Sequence, residues 1–515
     1  MLVSSASQAS DPLMAVGFFK LDDQRLTGET AVIANNAGFS DLNLLVTVDT
    51  TGKVIAAEPL DNFEKLDPAP ALALVRGWTF RPQTFDGKLV NAVGMVSVAY
   101  KKRVISANTS VAFPAGDPAQ TAITLERGAC FGTCPDYRVT VHGDGLVEFD
   151  TGNDHFTGTG AQVHLEYNGH NVLLPGHHTR RVDPVVVTRL IDKFRAAHFF
   201  GLRKEYFYGA TDNPTQLLTV RVGKTSKTVT DYIGTMAGMP QEVRDLEEAV
   251  DEVAGTARWV HGNAQTLDEL DAAHFDYRSR AGAMLMAAAM SKFSGYRPSE
   301  GIEALLLGLL DRGVPLDTKI NGDTLGSALV RVAAMQGSEA LFDELIANGA
   351  LATAPRATLN QAIVQVGCSP KIARALVKAG ADPSTAGNEG TALTALRGSV
   401  PICDGHPDKM IEMARVLIKL GMPMEARDSL GWTALMGCDS PELAQLLLAS
   451  GANPNARDKN GTTPLLSTSD DRVALILLRA GADPRARDEN GSVRAQAVKG
   501  HMPASLAWLD AHGIL

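Results

Sequence analysis

The spacing of apolar residues changes along the chain, and each change predicts a different kind of element. Leu42, Leu44, Val46 and Val48 alternate with polar residues and predict a strand, Thr51-Gly52 is a turn, and Lys53 to Glu58 reads as the returning strand. Leu66 to Arg76, carrying Leu72, Leu74 and Val75, is a short helix. Trp78, Phe80 and Pro82 then lead into Phe85-Asp86-Gly87-Lys88, a hairpin signal, and the alternating strand Val90 to Tyr100. Residues 102–120 are rich in small and turn-forming side chains and read as a linker.

A second mixed pattern follows. Ala122 to Arg127, Tyr137 to His142 and Leu146 to Asp150 are strand-like, the last two joined through Gly143-Asp144-Gly145. Asp183-Pro184 supplies an N-cap and a proline at the first helical position, and Val187, Leu190, Ile191, Phe194 and Ala197 keep helical spacing after it. Gln216 to Val222 and Lys227 to Ile233 flank a turn at Gly223. Pro240 to Trp259 predicts an amphipathic helix with Val243, Leu246, Val250 and Val253 on one stripe. From about Thr266 the pattern becomes short helices in series. Gly380-Ala381-Asp382-Pro383, Gly451-Ala452-Asn453-Pro454 and Gly481-Ala482-Asp483-Pro484 recur, and Ala426-Arg427-Asp428, Ala456-Arg457-Asp458 and Ala486-Arg487-Asp488 lie 30 residues apart. Helix pairs repeated in this way cannot bury their apolar faces alone and stack into one continuous core.

Composition narrows the classes. At about 150 residues per domain, 515 residues suggest three to four domains. Apolar residues at 45% and charged residues at 21% are those of ordinary globular domains. Lys plus Arg number 48 against 58 Asp plus Glu, and the net charge of −10 argues against nucleic acid as the main partner. No run approaches the roughly 18 apolar residues of a membrane-spanning helix. The opening MLVSSASQAS ends in small residues like the tail of an export signal whose beginning is lost; the alternative is a ragged terminus.

Three resemblances organise these segments. The order of elements in residues 38–101, with Gly52, Leu72, Trp78, Phe80, Pro82 and Asp86-Gly87, resembles the C-terminal domain of TonB and its relatives. That implies a small β-α-β-β module of bacterial envelope proteins, which in energy transducers adds a strand to a partner's sheet edge. The chain shows neither a membrane anchor nor a Pro-rich spacer, so the module is expected to bind rather than transduce. Cys130-Phe131-Gly132-Thr133-Cys134-Pro135-Asp136-Tyr137, the Gly-Asp-Gly hairpin and Thr211 to Pro214 resemble a bacterial domain family of unknown function, over residues 121–262. The recurring Gly-Ala-Asp-Pro turns, with Thr433-Ala434-Leu435 and Thr463-Pro464-Leu465 opening helices, resemble ankyrin repeats over 266–515, in about six units. The last periods are shorter than the usual 33 residues or so, and an insertion lies around Val400 to Asp408. The expected fold is therefore multidomain: residues 1–37 as a terminal segment, two small α+β domains joined by the linker, and an all-α ankyrin-repeat solenoid.

Candidate chemistry is sparse. Cys130 and Cys134 fit a disulfide, half of a metal site or a redox couple; the spacing differs from C-x-x-C and no second ligand pair matches it, so a structural disulfide is preferred. Seven of the 12 histidines, His142, His155, His164, His170, His177, His178 and His198, fall within the second domain, as metal or proton-transfer candidates or as solvated surface residues. None has the i, i+4 spacing of a helical ligand set, and neither a metal nor a cofactor is expected. Cys368, Cys403 and Cys438 stand 35 residues apart; three buried thiols are preferred over one bridge from Cys403 to a neighbour. Arg427, Asp428, Arg457, Asp458, Arg487 and Asp488 lie on the turns beside the concave ankyrin face, as partner contacts or as turn caps. Trp432 is the aromatic anchor for a partner or a lock between units.

Together these features predict a non-catalytic, protein-binding scaffold, exported to the periplasm or envelope. The alternatives are a metal-binding or hydrolytic enzyme centred on the His-rich domain, and a cytoplasmic ankyrin protein with reduced thiols.

Overall fold

The computed structural model describes residues 13–16, 20–27, 33–35, 40–60, 66–102, 104–151, 171–294, 301–320, 322–396, 403 and 407–514. In the N-terminal domain β1 (Leu13–Ala15), β2 (Ile33–Asn35), β3 (Ser40–Val48), β4 (Val54–Pro59), β5 (Gln83–Phe85) and β6 (Lys88–Lys102) form one sheet. Long β6 is its spine, pairing antiparallel with β3 and β5 and parallel with β1 and β2. The alternation of Leu42, Leu44, Val46 and Val48 puts all four in a core with Trp78, Phe80 and the buried side of α1 (Ala69–Val75). Gly52 is required at its turn: φ is 82°, and a Cβ there would stand 1.9 Å from the Phe80 carbonyl oxygen. The domain reaches further back than position 38. β1 and β2 belong to the sheet, and strands of three residues are too short for alternation to register.

The central domain is a seven-stranded sheet of β7 (Thr121–Arg127), β8 (Tyr137–His142), β9 (Leu146–Asp150), β10 (His177–Arg181), β11 (Glu205–Phe207), β12 (Gln216–Val222) and β13 (Thr225–Tyr232). Its order is β10-β9-β8-β7-β12-β13-β11. One face is covered by α2 (Pro184–Ala196) and α3 (Gln241–Ala254), which bury Val187, Leu190, Phe194, Val243, Leu246 and Val250 against it. Asp183 caps α2 as its sequence predicts, accepting from Val185 N at 2.9 Å. The helix expected over 240–259 stops at Ala254, because Gly255 takes φ 67° and its N–H closes on Asp251 O. A separate turn, α4 (Ala257–Val260), follows. Residues 104–120 do more than connect: Ile105 N bonds Gly238 O, Asn108 N bonds Gly201 O, and Phe113 meets Phe200 edge-on.

The C-terminal region is helical. After α5 (Ala264–Ala272), helices pair in succession: α6 (Arg280–Phe293) with α7 (Ile302–Asp311), α8 (Leu325–Gln336) with α9 (Glu339–Ala347), α10 (Arg356–Val364) with α11 (Pro370–Lys378), and α12 (Ala392–Ala395) with α13 (Pro407–Lys419). The turn at 433–436 precedes α14 (Pro441–Ala449), then α15 (Pro464–Ser467) pairs with α16 (Asp471–Arg479) and α17 (Val493–Lys499) with α18 (Pro503–Ala511). These are seven layers among the described residues, one more than the sequence suggested. The first members of the pairs make one side and the second members the other. Ser338, Ser369, Ser440 and Asp470 each cap a second-side helix through a side-chain oxygen.

Candidate functional site

Two concave features carry polar side chains. The first is built on the Ala-Arg-Asp turns of the last layers. In each turn one carboxylate oxygen closes the local backbone: Asp428 Oδ1 accepts from Leu430 N at 2.9 Å and Trp432 N at 2.8 Å, and Asp458 Oδ1 accepts from Asn460 N and Thr462 N, both at 2.8 Å. Asp488 Oδ1 takes Asn490 N at 2.8 Å. The other oxygen reaches the preceding layer, where Trp432 Nε1 donates to Asp458 Oδ2 at 3.0 Å and Thr462 Oγ1 to Asp488 Oδ2 at 2.8 Å. Arg427 Nη1 donates to Gly431 O at 2.7 Å and Arg457 O at 2.6 Å, and Arg457 repeats the pattern with Gly461 O and Arg487 O. The ladder thus staples turn to turn. Half-buried Trp432 is part of it: its ring closes over Gly437, where a Cβ would stand 2.6 Å from Cζ3.

Between these turns and α17 runs a groove of about 550 Å³, lined by Leu430, Trp432, Lys459, Asn460, Gln496 and Lys499. Leu430 is 61% exposed at its rim. The groove joins one apolar wall to the ammonium groups of Lys459, which donates to Ser429 O, and Lys499, with the Asp458 and Asp488 carboxylates also in its lining.

The second feature lies where β7, β8 and β12 end beside α3. Asp251 Oδ1 accepts from the Tyr137 and Thr256 hydroxyls, each at 2.7 Å, and Oδ2 from Arg127 Nε and Nη2 at 2.9 and 2.7 Å. Burial, then the Asp251 charge, holds the Tyr137 phenol well above its usual range. Glu247, one helical turn before Asp251, is 3% exposed, and burial with Asp231 nearby pushes its carboxyl up to about 8. Arg127, Tyr137, Asp251 and Thr256 floor a cleft of about 620 Å³ that Cys134, Pro135, Gln216 and His261 also line. Arg127 and Asp251 pair with one another, and Glu252 adds a further carboxylate to the lining. Cys130 and Cys134 stand at disulfide distance, with sulfurs 1.95 Å apart, and Phe131 between them is 88% exposed.

Two family models match the chain. The domain of unknown function DUF6438 spans residues 121–254, and an ankyrin repeat spans residues 430–459. Curated proteins give no match. The DUF6438 domain therefore comprises the seven-stranded sheet with α2 and α3, including Arg127, Tyr137, Glu247 and Asp251. The matched ankyrin repeat holds Trp432, Arg457 and Asp458 and one part of the groove, with Leu430 and Lys459, and ankyrin repeats point to protein partners.

The described histidines of the DUF6438 domain make separate contacts. His142 meets Glu148 at 2.7 Å and His177 meets Asp150 at 3.5 Å, while His178 stacks on Trp259 with its pKa lowered by burial. His198 sits at a left-handed position before a tight turn. His155, His164 and His170 lie outside the described residues. Among the described residues no three His, Cys, Asp or Glu side chains stand close enough to share a metal ion.

One expectation is corrected. Cys368 and Cys403 are not two thiols but stand at disulfide distance, 1.99 Å between sulfurs. Their Cα atoms are 5.0 Å apart, within the reach of a bridge. Cys438 is buried, with Sγ 3.5 Å from Ser440 O. Sequence reading overlooked Arg127, Tyr137, Glu247 and Asp251, and one signal was present: Glu247 falls on the stripe of Val243, Leu246 and Val250, an acid where an apolar residue belongs.

Proposed function

We propose that this chain is a non-catalytic scaffold of the bacterial cell envelope that holds a protein partner in the groove of its ankyrin region, which acts as a repeat solenoid. The observation carrying this reading is the groove beside Leu430 and Trp432, which crosses successive layers and joins an exposed apolar rim to Lys459 and Lys499. Two cysteine pairs at disulfide distance support an oxidising compartment such as the periplasm. The resemblance of the N-terminal domain to TonB C-terminal domains, through Trp78, Phe80 and the Asp86-Gly87 hairpin, supports an envelope setting and a second binding module. No helix among the described residues is long and apolar enough to cross a membrane.

The test is site-specific photo-crosslinking of the full chain in its native cells. A photoreactive side chain at Leu430 should join a discrete protein, and the double variant Lys459→Glu, Lys499→Glu should remove that adduct. No adduct from Leu430, or the same adduct from Ile346 on the outer helix side, would overturn the reading. A second reading, a metal-binding or hydrolytic role for the DUF6438 domain, is favoured by the cleft beside Arg127, Tyr137 and Asp251. Stoichiometric metal in purified protein, lost when Asp251 and His261 of the cleft are replaced, would decide for it.

A further inference from the structure

The two ends of the helical region are both covered by other parts of the chain. At the first end Leu173 of the central domain is buried in the apolar cluster of the helices, and Lys292 Nζ of α6 donates to Asn171 O at 2.9 Å. At the last end lies the N-terminal domain. Ala15 N, on β1, donates to Asp471 Oδ2 at 2.9 Å across 456 residues of sequence. Asp471 is fully buried, and the same carboxylate accepts from Ala504 N at 3.1 Å and Ser505 N at 2.7 Å in the first turn of α18. Around it, Arg472 Nη1 donates to Gln83 Oε1 at 3.1 Å, and Arg479 pairs with Asp86 at 2.5 Å while covering the Phe85 ring at 4.9 Å. Met14, Phe85, Val90 and Val93 are buried in one apolar cluster with the helices. The chain closes on itself, with the N-terminal domain seated where a repeat array needs a cap.

We propose that this seat is a conformational latch, through which docking of the N-terminal domain sets the last wall of the ankyrin groove. The route is short. Asp471 fixes the first turn of α18, α18 packs on α17, and α17 carries the Gln496 and Lys499 of the groove. A single buried carboxylate with three backbone donors on two elements ties both elements together, since losing either leaves buried polar groups unpaired. A ligand that pries the N-terminal domain away therefore loosens the groove, and a groove ligand tightens the seat, because coupling between sites is reciprocal. The latch itself stands on the contacts at Asp471; only its effect on a partner rests on the reading of the groove.

Hydrogen exchange on the full chain tests the latch without any partner, so its failure is distinct from failure of the groove reading. In the wild type, amides of residues 13–16 and of α17 and α18 should be protected. Arg479→Glu places two acidic groups at an exposed part of the seam and leaves the core of the repeat intact. It should speed exchange of residues 13–16 and of α17 and α18 together, on the order of tenfold, leaving β7 and β8 of the central domain unchanged. Asp471→Ala should do the same more strongly. Unprotected amides at 13–16 in the wild type would overturn the seat. Acceleration at 13–16 with α17 and α18 unmoved in both variants would overturn the coupling, and no acceleration in either variant would overturn the latch as a whole.

Discussion

Replacing Glu247 with glutamine should stabilise the DUF6438 domain above neutral pH and flatten its pH dependence. One of the two carboxyl oxygens of Glu247 is buried without a hydrogen-bond partner, and the other lies 3.9 Å from Arg127 Nη1, too far for a hydrogen bond. Burial raises the pKa from 4.5 to about 8, the charge of Asp231 adds to it, and Arg127 and Arg244 oppose it. In the unfolded chain the group deprotonates near its ordinary value. Between the two values the native state keeps a proton that the unfolded state has lost, so stability is greatest at the acid side of this window and falls as pH rises through it. Each tenfold difference in proton affinity between the folded and unfolded chain corresponds to about 1.4 kcal/mol, and relaxation of the site on ionisation leaves about 2 to 3 kcal/mol as the expected loss between pH 5 and 9. Glutamine keeps the shape and has no such equilibrium. The variant should match the wild type near pH 5 and exceed it by that margin at pH 9. Urea unfolding of the full chain, read by hydrogen exchange in peptides from β7 and β8, isolates this domain. Parallel pH curves, or a variant weaker than wild type at pH 9, would refute the argument by showing that Glu247 is ionised and serves Arg127.

Two other outcomes are expected. Under denaturing, non-reducing conditions one thiol of the five cysteines should react, and reduction should weaken the helical region by about 4 kcal/mol and the DUF6438 domain by about 2, from the lengths of the loops closed; five reactive thiols would remove the support for an oxidising compartment. Trp432→Phe should cost the ankyrin region about 1 to 2 kcal/mol through the bond to Asp458, and Trp432→Ala about 2 to 4; unchanged unfolding in both would return Trp432 to the role of a partner anchor.

Legibility in the sequence followed the range of the interactions. Leu42 to Val48, the Asp183-Pro184 cap and the hairpin at Asp86-Gly87 were readable because each is decided by neighbours within a few residues. The 30-residue recurrence of Ala-Arg-Asp was equally readable, since equal spacing lets Arg427 and Arg457 make the same bonds one layer apart. Where a local rule met a competing one, the boundary moved. Gly255 ended α3 although the apolar stripe runs past it, and β1 was missed because its partner Val93 lies far along the chain.

Asp470 and Asp471 mark the limit of such reading. Side by side in Ser469-Asp470-Asp471-Arg472, the two carboxylates look interchangeable, and either one suits the start of a helix. Asp470 takes the local role, capping α16 through Arg472 N and Val473 N and pairing with the Arg472 guanidinium. Asp471, one residue on, faces away from that cap and takes its donors from Ala504, Ser505 and Ala15. Nothing in the local pattern separates them, because the distinction rests on donors 33 to 456 residues away in the chain. The same holds for Arg127 and Asp251, separated by 124 residues and joined in the floor of the cleft. A periodic array writes its own contacts into its sequence, but the sites where its ends meet other domains are written only in the packed chain.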